Sequence, residues 1–574
     1  MPTLDWIGKD KVINHHMDVP YRVLDPQYTY GEDTGNMIIH GDNLEALKSL
    51  LPQYEGKIRC IYIDPPYNTG NEGWVYNDNV NDPRIRKWLG QVVGSESEDL
   101  SRHDKWLCMM YPRLKLLHRL LADDGVIFIS IDDNEYVNLK MVCDEIFGSN
   151  CFVSNISWQR TYSTRNDSKG IVNEVEHILV YSKAPDWQPN KLPRTEKMNS
   201  TYKNPDNDIK PWASDNPCAP GAATHQGMVY AIQHPFTGKM VYPSNGACWR
   251  YQQDDMLSIM RGWCEYELKD LNDAKERAAV CGVPESDVRQ GVQAIVLSES
   301  LEVSRQKAEA VYKRGQWPKF YFTQGGKGGF RRKTYLDNVG GKPPTNFWSY
   351  EEVGHTDEAA KILKAIFDGK ATFDTPKPPR LIERILTIAG DKDTLILDSF
   401  AGSGATAHAV LNMNKADGGN RKFILIEMCD YAETITAERV RRVTNGYGEG
   451  KKAVEGTGGG FTFYELGEKL LDGEYLNENV PLDKIRSYVY FTETKQPVTD
   501  KEDEPHYLGS YLETAYYFYY DKDAATTLDH AFLTTVKTKA ESYVIYADRC
   551  ILSEEELERY HITFKKIPRD ITRL

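Results

Sequence analysis

Apolar residues in the first 183 positions gather into short runs: MIIHGD (37–42), IRCIYID (58–64), GVIFISID (125–132) and HILVYSK (177–183). Runs of this length, rich in Ile and Val and closed by polar residues, predict buried strands. Between two of them, DKWLCMMYPRLKLLHRLLADD (104–124) predicts a helix. Buried strands joined by helices imply a parallel α/β sheet. From about 184 to 350 the pattern dissolves into Pro, Asn, Gly and Trp, apart from a polar stretch at about 267–315 that reads as helical. After TPKPPRLIERILTIAG (375–390) the alternation resumes with DTLILDSFAGSGATAHAVLNM and RKFILIEMCD (421–430). The expected organisation is therefore an α/β domain in two halves, 1–183 and 351–467, split by an insertion at 184–350. The last piece, 468–574, carries the spacer TDKEDEP, the aromatic run AYYFYY and SEEELERYHITFKKI, and reads as a separate α+β module. Within it, Ser553 followed three residues later by Glu556 predicts a capped helix, with a strand after it.

Composition narrows the class. A chain of 574 residues is too long for one core and implies about three or four structural units. With 40% hydrophobic, 27% charged and 11% aromatic residues it belongs with soluble globular proteins. The opening MPTLDWIGKDKV mixes charges where a signal peptide needs an apolar stretch, and no apolar run approaches membrane-spanning length, so a cytoplasmic protein without membrane association is expected. The ten cysteines are scattered with no C-x-x-C pair, which predicts reduced thiols and no metal site. The net charge of −14 argues against non-specific coating of nucleic acid and leaves the question to local patches.

Two motifs carry candidate chemistry. In LILDSFAGSGATAHAV a strand ends at Asp398, a turn carries Gly402 and Gly404, and a helix follows. Strand, glycine turn and helix form a nucleotide cradle, because glycine allows close backbone approach and the helix N-terminus offers free amides. Gly402, Gly404 and Ala407 also satisfy the G-x-G-x-x-A dinucleotide pattern, with Glu427 near the spacing of a ribose-binding acid, so a nicotinamide enzyme is a rival reading. The second motif is DPPY, Asp64 to Tyr67. Two prolines stiffen the loop, and they leave the carbonyls of residues 64 and 65 as acceptors without donors. Such a site suits an amino group: the Asp64 carboxylate and the Pro65 carbonyl can take both hydrogens of an adenine 6-amino nitrogen and favour a pyramidal, nucleophilic form. Tyr67 can stack on the base, with Pro66 completing the rigid loop, and hold a nucleotide extruded from the helix.

With DPPY at 64–67 and FAGSG at 400–404, the chain resembles the amino-group DNA methyltransferases that use S-adenosylmethionine. Catalytic motif first and cofactor motif downstream is the order of their β class. The longer text IYIDPPYNTGNEGWVYND, GVIFISIDDNE and TPKP looks like the modification subunits of type III restriction-modification systems. The helicase and nuclease motifs of the restriction subunit are not in this sequence. The resemblance implies a circularly permuted Rossmann-like sheet of order 3-2-1-4-5, in which MIIHGD, RKFILIE, TLILD, IRCIYID and GVIFISID follow one another, with an inserted target-recognition domain. Asp398 and Asp64 would then face one crevice. It also implies that Phe400, Gly402 and Gly404 border the cofactor, that Glu427 binds its ribose hydroxyls, and that Thr375, Lys377 and Pro378 lie near its methionine end. Asp42 would lie near the cofactor adenine, although the cap of the helix NLEALKSL explains it equally well.

The reaction so implied is direct displacement by the target nitrogen on a sulfonium methyl, on double-stranded DNA, with no metal. A cytosine-C5 enzyme would need a catalytic Pro-Cys, and Pro217-Cys218 falls in the insertion, not after a sheet strand. Asp at position 64 favours adenine-N6 over cytosine-N4. In KFYFTQGGKGGFRRKTYLDNVGGK (319–342) six Lys/Arg face one Asp, so Lys319, Lys327, Arg331, Arg332 and Lys333 are candidate phosphate contacts, against the alternative of a solvated hairpin. Trp212, Trp249 and Trp263 read as core residues. The expected partners are a second copy of the chain, by family resemblance, and a restriction subunit docked in part on 468–574. The alternatives are a solitary methyltransferase, a catalytically idle assembly subunit, and a tail that only covers the sheet.

Overall fold

The structure, a computed structural model, describes residues 3–32, 34–69, 99–163, 171–473, 475–496 and 498–569. The stretch 70–78, which contributes to the resemblance above, lies outside the described residues.

Among the described residues ten strands form the main sheet: β1 (Arg22–Gly31), β2 (Met37–His40), β3 (Ile58–Ile63), β4 (Leu121–Ile131), β5 (Phe152–Gln159), β6 (Val175–Ser182), β7 (Phe347–Trp348), β8 (Leu395–Asp398), β9 (Lys422–Glu427) and β10 (Gly460–Lys469). Their order is β1-β10-β2-β9-β8-β3-β4-β6-β5-β7. The block β2-β9-β8-β3-β4 is parallel throughout and is the 3-2-1-4-5 order expected from the permuted chain. The hairpin strands β5 and β6 extend it antiparallel beyond β4.

Both faces of the central strands are buried, which explains their nearly unbroken apolar sequence. Ile61, Ile63, Ile127 and Ile129 share a core with Leu47, Leu50 and Leu51 of helix α1 (Asn43–Tyr54) and with Trp106, Leu114 and Leu117 of helix α2 (Asp99–Leu120). The alternate residues Cys60, Tyr62, Val126 and Phe128 are buried too, as the two-residue strand period requires. Helix α3 (Pro379–Ala389) packs on helix α4 (Ala405–Asp417) and on β3. One boundary differs from expectation: α2 ends at Leu120 and β4 begins at once, so the LADD segment assigned to the helix belongs to the strand. Leu121 pairs with Ile58 of β3, so the sheet ladder takes up these residues.

Residues 468–574 do not separate from the body: Met1–Asn190 and Pro343–Leu574 form one compact unit. Helix Leu482–Thr494 lends Phe491 to the main-sheet core, and Tyr488 meets Tyr21 at 4.8 Å between ring centroids. A four-stranded sheet follows, and its last helix, Glu554–Arg559, starts in the capping box of Ser553 and Glu556.

The second compact unit is Lys191–Lys342, shorter at both ends than the 184–350 read from composition. Phe347 and Trp348 are excluded because they pair with β5 of the main sheet. The polar stretch holds two helices, Ala274–Cys281 and Leu301–Arg314, with the strand Ala294–Leu297 between them. Trp212, Trp249 and Trp263 are core residues. Their indole N–H groups donate to Asp206 Oδ1, the Tyr230 carbonyl and the Phe320 carbonyl, each at 2.8 Å.

Candidate active site

Strands β3 and β8 are parallel neighbours, with Leu397 opposite Ile61, so Asp64 and Asp398 leave the sheet at the same end. Ligands of open α/β sheets bind in the crevice at this end, where strand order reverses. A cavity of about 370 Å³ opens there, lined by Asp64, Pro65, Pro66, Tyr67, Thr375, Lys377, Asp398, Phe400, Gly402 and Glu427 among others. Ten of the thirteen residues expected to act on the target base or the cofactor thus share one cavity; Asp42, Pro378 and Gly404 do not line it.

The DPPY end is a charged cluster. Lys377 Nζ donates to both Asp64 oxygens, at 2.8 and 2.6 Å, and lies 3.6 Å from Glu176 Oε2. Burial alone would lower the Lys377 pKa, but Asp64 and Glu176 outweigh it and raise the value, so the ammonium stays charged. This places Lys377 beside the carboxylate of the DPPY loop, on the wall of the same cavity. The Tyr67 hydroxyl donates to Asp64 Oδ1 at 2.8 Å and reaches Glu176 Oε2 at 3.2 Å. Burial, together with these two acids, holds its proton far above the usual phenol range. Trp106 Nε1 donates to the Pro66 carbonyl at 2.7 Å and fixes the loop exit, while among the described residues nothing hydrogen-bonds the Pro65 carbonyl. Thr375 sits at φ 48°, an uncommon conformation for a β-branched residue, in the segment that delivers Lys377.

Sequence reasoning missed Glu176 and Arg160, whose guanidinium donates to Glu176 Oε1 at 2.9 Å. The signal was present: Glu176 shares an inward face of β6 with Ile178 and Val180, and a buried acid needs a partner.

The glycine turn is held from both sides. Gly402 N–H donates to Glu427 Oε2 at 2.8 Å, and its carbonyl accepts from Thr436 Oγ1 at 2.6 Å. Thr436 belongs to a π-helical turn, Ala432–Ala437, a distortion that often marks functional sites. Glu427 also accepts from Cys429 N–H at 3.0 Å, and burial raises its pKa. Asp398 accepts from Thr406 Oγ1 at 2.6 Å and Phe400 N–H at 3.1 Å; burial still pushes its carboxyl up to about 7. Gly402 has φ +50°, and a Cβ there would meet the Phe373 ring at 3.0 Å.

The three candidates that do not line the cavity cap helices beside it. Gly404 caps α4 with its own Cα facing the Thr436 carbonyl, where a Cβ would come within 3.2 Å, so it serves packing. Asp42 caps α1, accepting from Leu44 and Glu45 N–H at 2.8 and 3.3 Å, both at Oδ1. Pro378 is the N-cap of α3.

In the second unit the basic segment is a hairpin, Phe320–Phe322 with Phe330–Tyr335. Lys333 is corrected as a phosphate contact: its ammonium is buried between Asp206 and Asp208. Arg332 is largely committed to Asp215. Lys327 and Arg331 are exposed, and Lys319 lies half-buried over the Tyr251 ring. Cys218 is buried with its thiol pKa raised by that burial, which removes it as a nucleophile.

A family model described as DNA methylase matches residues 58–438. The StyLTI Mod subunit of a type III restriction-modification enzyme from Salmonella typhimurium is 32% identical over 74% of this chain and 57% of its own length. The EcoPI Mod subunit from Escherichia phage P1 is 29% identical over 79% and 66%. The type II methyltransferase M.KpnI from Klebsiella pneumoniae is 31% identical over 69% and 81%. The chain thus spans less than two thirds of the length of the two Mod subunits. Among solved structures, PvuII DNA methyltransferase (cytosine-N4-specific) is 13% identical over 73% of this chain and 89% of that one, with a TM-score of 0.33.

Proposed function

The chain belongs to the DNA methylase family, and from that premise we propose that it methylates the N6 amino group of adenine at specific sites in double-stranded DNA. The observation that carries the reading is one cavity holding the DPPY loop and the glycine turn, which lie more than 300 residues apart in sequence.

The residues present fit S-adenosylmethionine. Gly402 keeps the wall clear where a side chain would crowd Phe373, and Glu427 offers a buried carboxylate for ribose hydroxyls. Asp398, Phe400 and Gly402 would border the cofactor, and Thr375 would lie toward its methionine end. When bound, the cofactor supplies an electrophilic methyl group. The chain's own residues orient and polarise the amine: the Asp64 carboxylate and the Pro65 carbonyl accept its hydrogens, and Tyr67 stacks on the extruded base for about 1–3 kcal/mol. Lys319, Lys327 and Arg331 contact phosphate, within a recognition unit formed by the insertion.

The relatives named as Mod subunits support a place in a restriction-modification system. On this reading the chain self-associates through its methyltransferase body and recruits a helicase-nuclease restriction subunit through the last sheet. Leu512 and Ile551, 78% and 70% exposed, are the residues to alter. Leu512→Asp with Ile551→Asp should abolish co-purification of a restriction subunit and spare methylation; unchanged co-purification refutes the docking role. Calorimetry with S-adenosylmethionine and with NAD tests the cofactor, and binding of NAD alone would overturn the proposal.

A further inference from the structure

The Asp64 carboxylate is engaged by neighbouring side chains before any amino group enters. Both its oxygens accept from Lys377 Nζ, and one also accepts from Tyr67. A second buried carboxylate, Glu176, stands 3.6 Å from the same ammonium and 3.2 Å from the same hydroxyl. Glu176 is 5% exposed and comes from β6, whereas Asp64 follows β3 and Lys377 precedes α3, so three separate parts of the chain converge on one cation. Two acids within 4 Å of one ammonium, Asp64 the nearer, form a pair of alternative ion pairs.

The geometry points to Glu176 as a positioning residue that takes Lys377 and the Tyr67 hydroxyl from Asp64 when the target amine enters. This rests on the methyltransferase reading given above. Without such an acceptor, freeing Asp64 would strand a buried ammonium, which is costly; with it, Lys377 exchanges one carboxylate for another. Arg160, donating to Glu176 Oε1 at 2.9 Å, keeps that oxygen occupied and leaves Oε2 turned toward Lys377 and Tyr67. The exchange also explains an otherwise uneconomical arrangement, two buried acids around one lysine in a cavity that must bind an amine.

The test measures Kd for a duplex carrying adenine at the methylated position against one carrying an abasic site there, together with the single-turnover methylation rate and cofactor affinity. Glu176→Gln should cut the single-turnover rate at least tenfold, leave cofactor Kd within twofold, and narrow the preference for adenine over the abasic duplex. In a Lys377→Met background, Glu176→Gln should no longer change that preference, because the competition for Asp64 is gone. Glu176→Asp keeps the charge and should recover part of both losses; it also carries the test, in both backgrounds, if Glu176→Gln does not fold. An unchanged rate and preference, or an equal loss in both backgrounds, overturns the inference and leaves Glu176 structural. A wild-type chain that methylates no DNA would instead overturn the functional reading itself.

Discussion

Asp64→Ala should destabilise the protein as well as silence it. The substitution removes the main partner of an ammonium whose side chain is 9% exposed, leaving Glu176 at 3.6 Å. Breaking a buried pair by deleting one partner costs about 3–5 kcal/mol. The Asp64 side chain is 25% exposed, and the surviving acid still screens the lysine, so the loss should fall near the lower bound, about 3 kcal/mol. Against a domain stability of about 5–15 kcal/mol, that is readily measured. Adding Lys377→Met removes the stranded charge and should restore most of the loss, since a buried ion pair exchanged for packed apolar atoms is often neutral. Urea titrations of wild type, Asp64→Ala, Lys377→Met and the double variant supply the cycle, with the denaturant slope checked for constancy. Calorimetry on the same proteins should show cofactor affinity little changed, because the glycine turn is untouched. Full stability in Asp64→Ala, or no recovery in the double variant, would refute the buried pair.

Gly402→Val should weaken S-adenosylmethionine binding by about tenfold or more, equivalent to about 1.4 kcal/mol, because the residue sits at φ +50° on the cavity wall with Phe373 3.0 Å from any Cβ; retained affinity by calorimetry would mean the cofactor site is misplaced. Asp398, raised to about 7, keeps a proton that an ordinary carboxyl of pKa 3.8 has lost, so its contribution to stability is full below about pH 4 and is lost as pH rises through about 7. Asp398→Asn should therefore flatten the fall in Tm across that window, and an unaltered slope counts against the buried proton. Lys327→Ala and Arg331→Ala should each lower the salt dependence of DNA binding by about one ion, whereas Lys333→Met should leave it unchanged; a Lys333 effect as large would restore its phosphate role.

The parallel core strands were legible because burial on both sides demands uninterrupted Ile, Leu and Val. The DPPY loop and glycine turn were legible because proline and glycine impose backbone geometry wherever they occur. The ion pair of Lys377 was not legible because its partner is distant in sequence: no local pattern shows that a lysine after Thr375 will meet an acid at residue 64. Glu176 was missed for the same reason, since an acid in a strand becomes informative only once the strand's inward face is known. Lys333 shows the limit of counting charge, for Asp206 and Asp208, which neutralise it, lie outside the basic segment. The LADD boundary of α2 depended on the pairing of Leu121 with Ile58 of β3, which helix propensity does not encode.

The central claim is tested most directly by incubating the protein with duplex DNA and S-adenosylmethionine bearing a labelled methyl group, then digesting the DNA to nucleosides. The label should appear in N6-methyldeoxyadenosine with wild-type protein and disappear with Asp64→Asn, which keeps the side chain's shape without its charge. Label in N4-methyldeoxycytidine, or no label with folded wild-type protein that binds the cofactor, would contradict it.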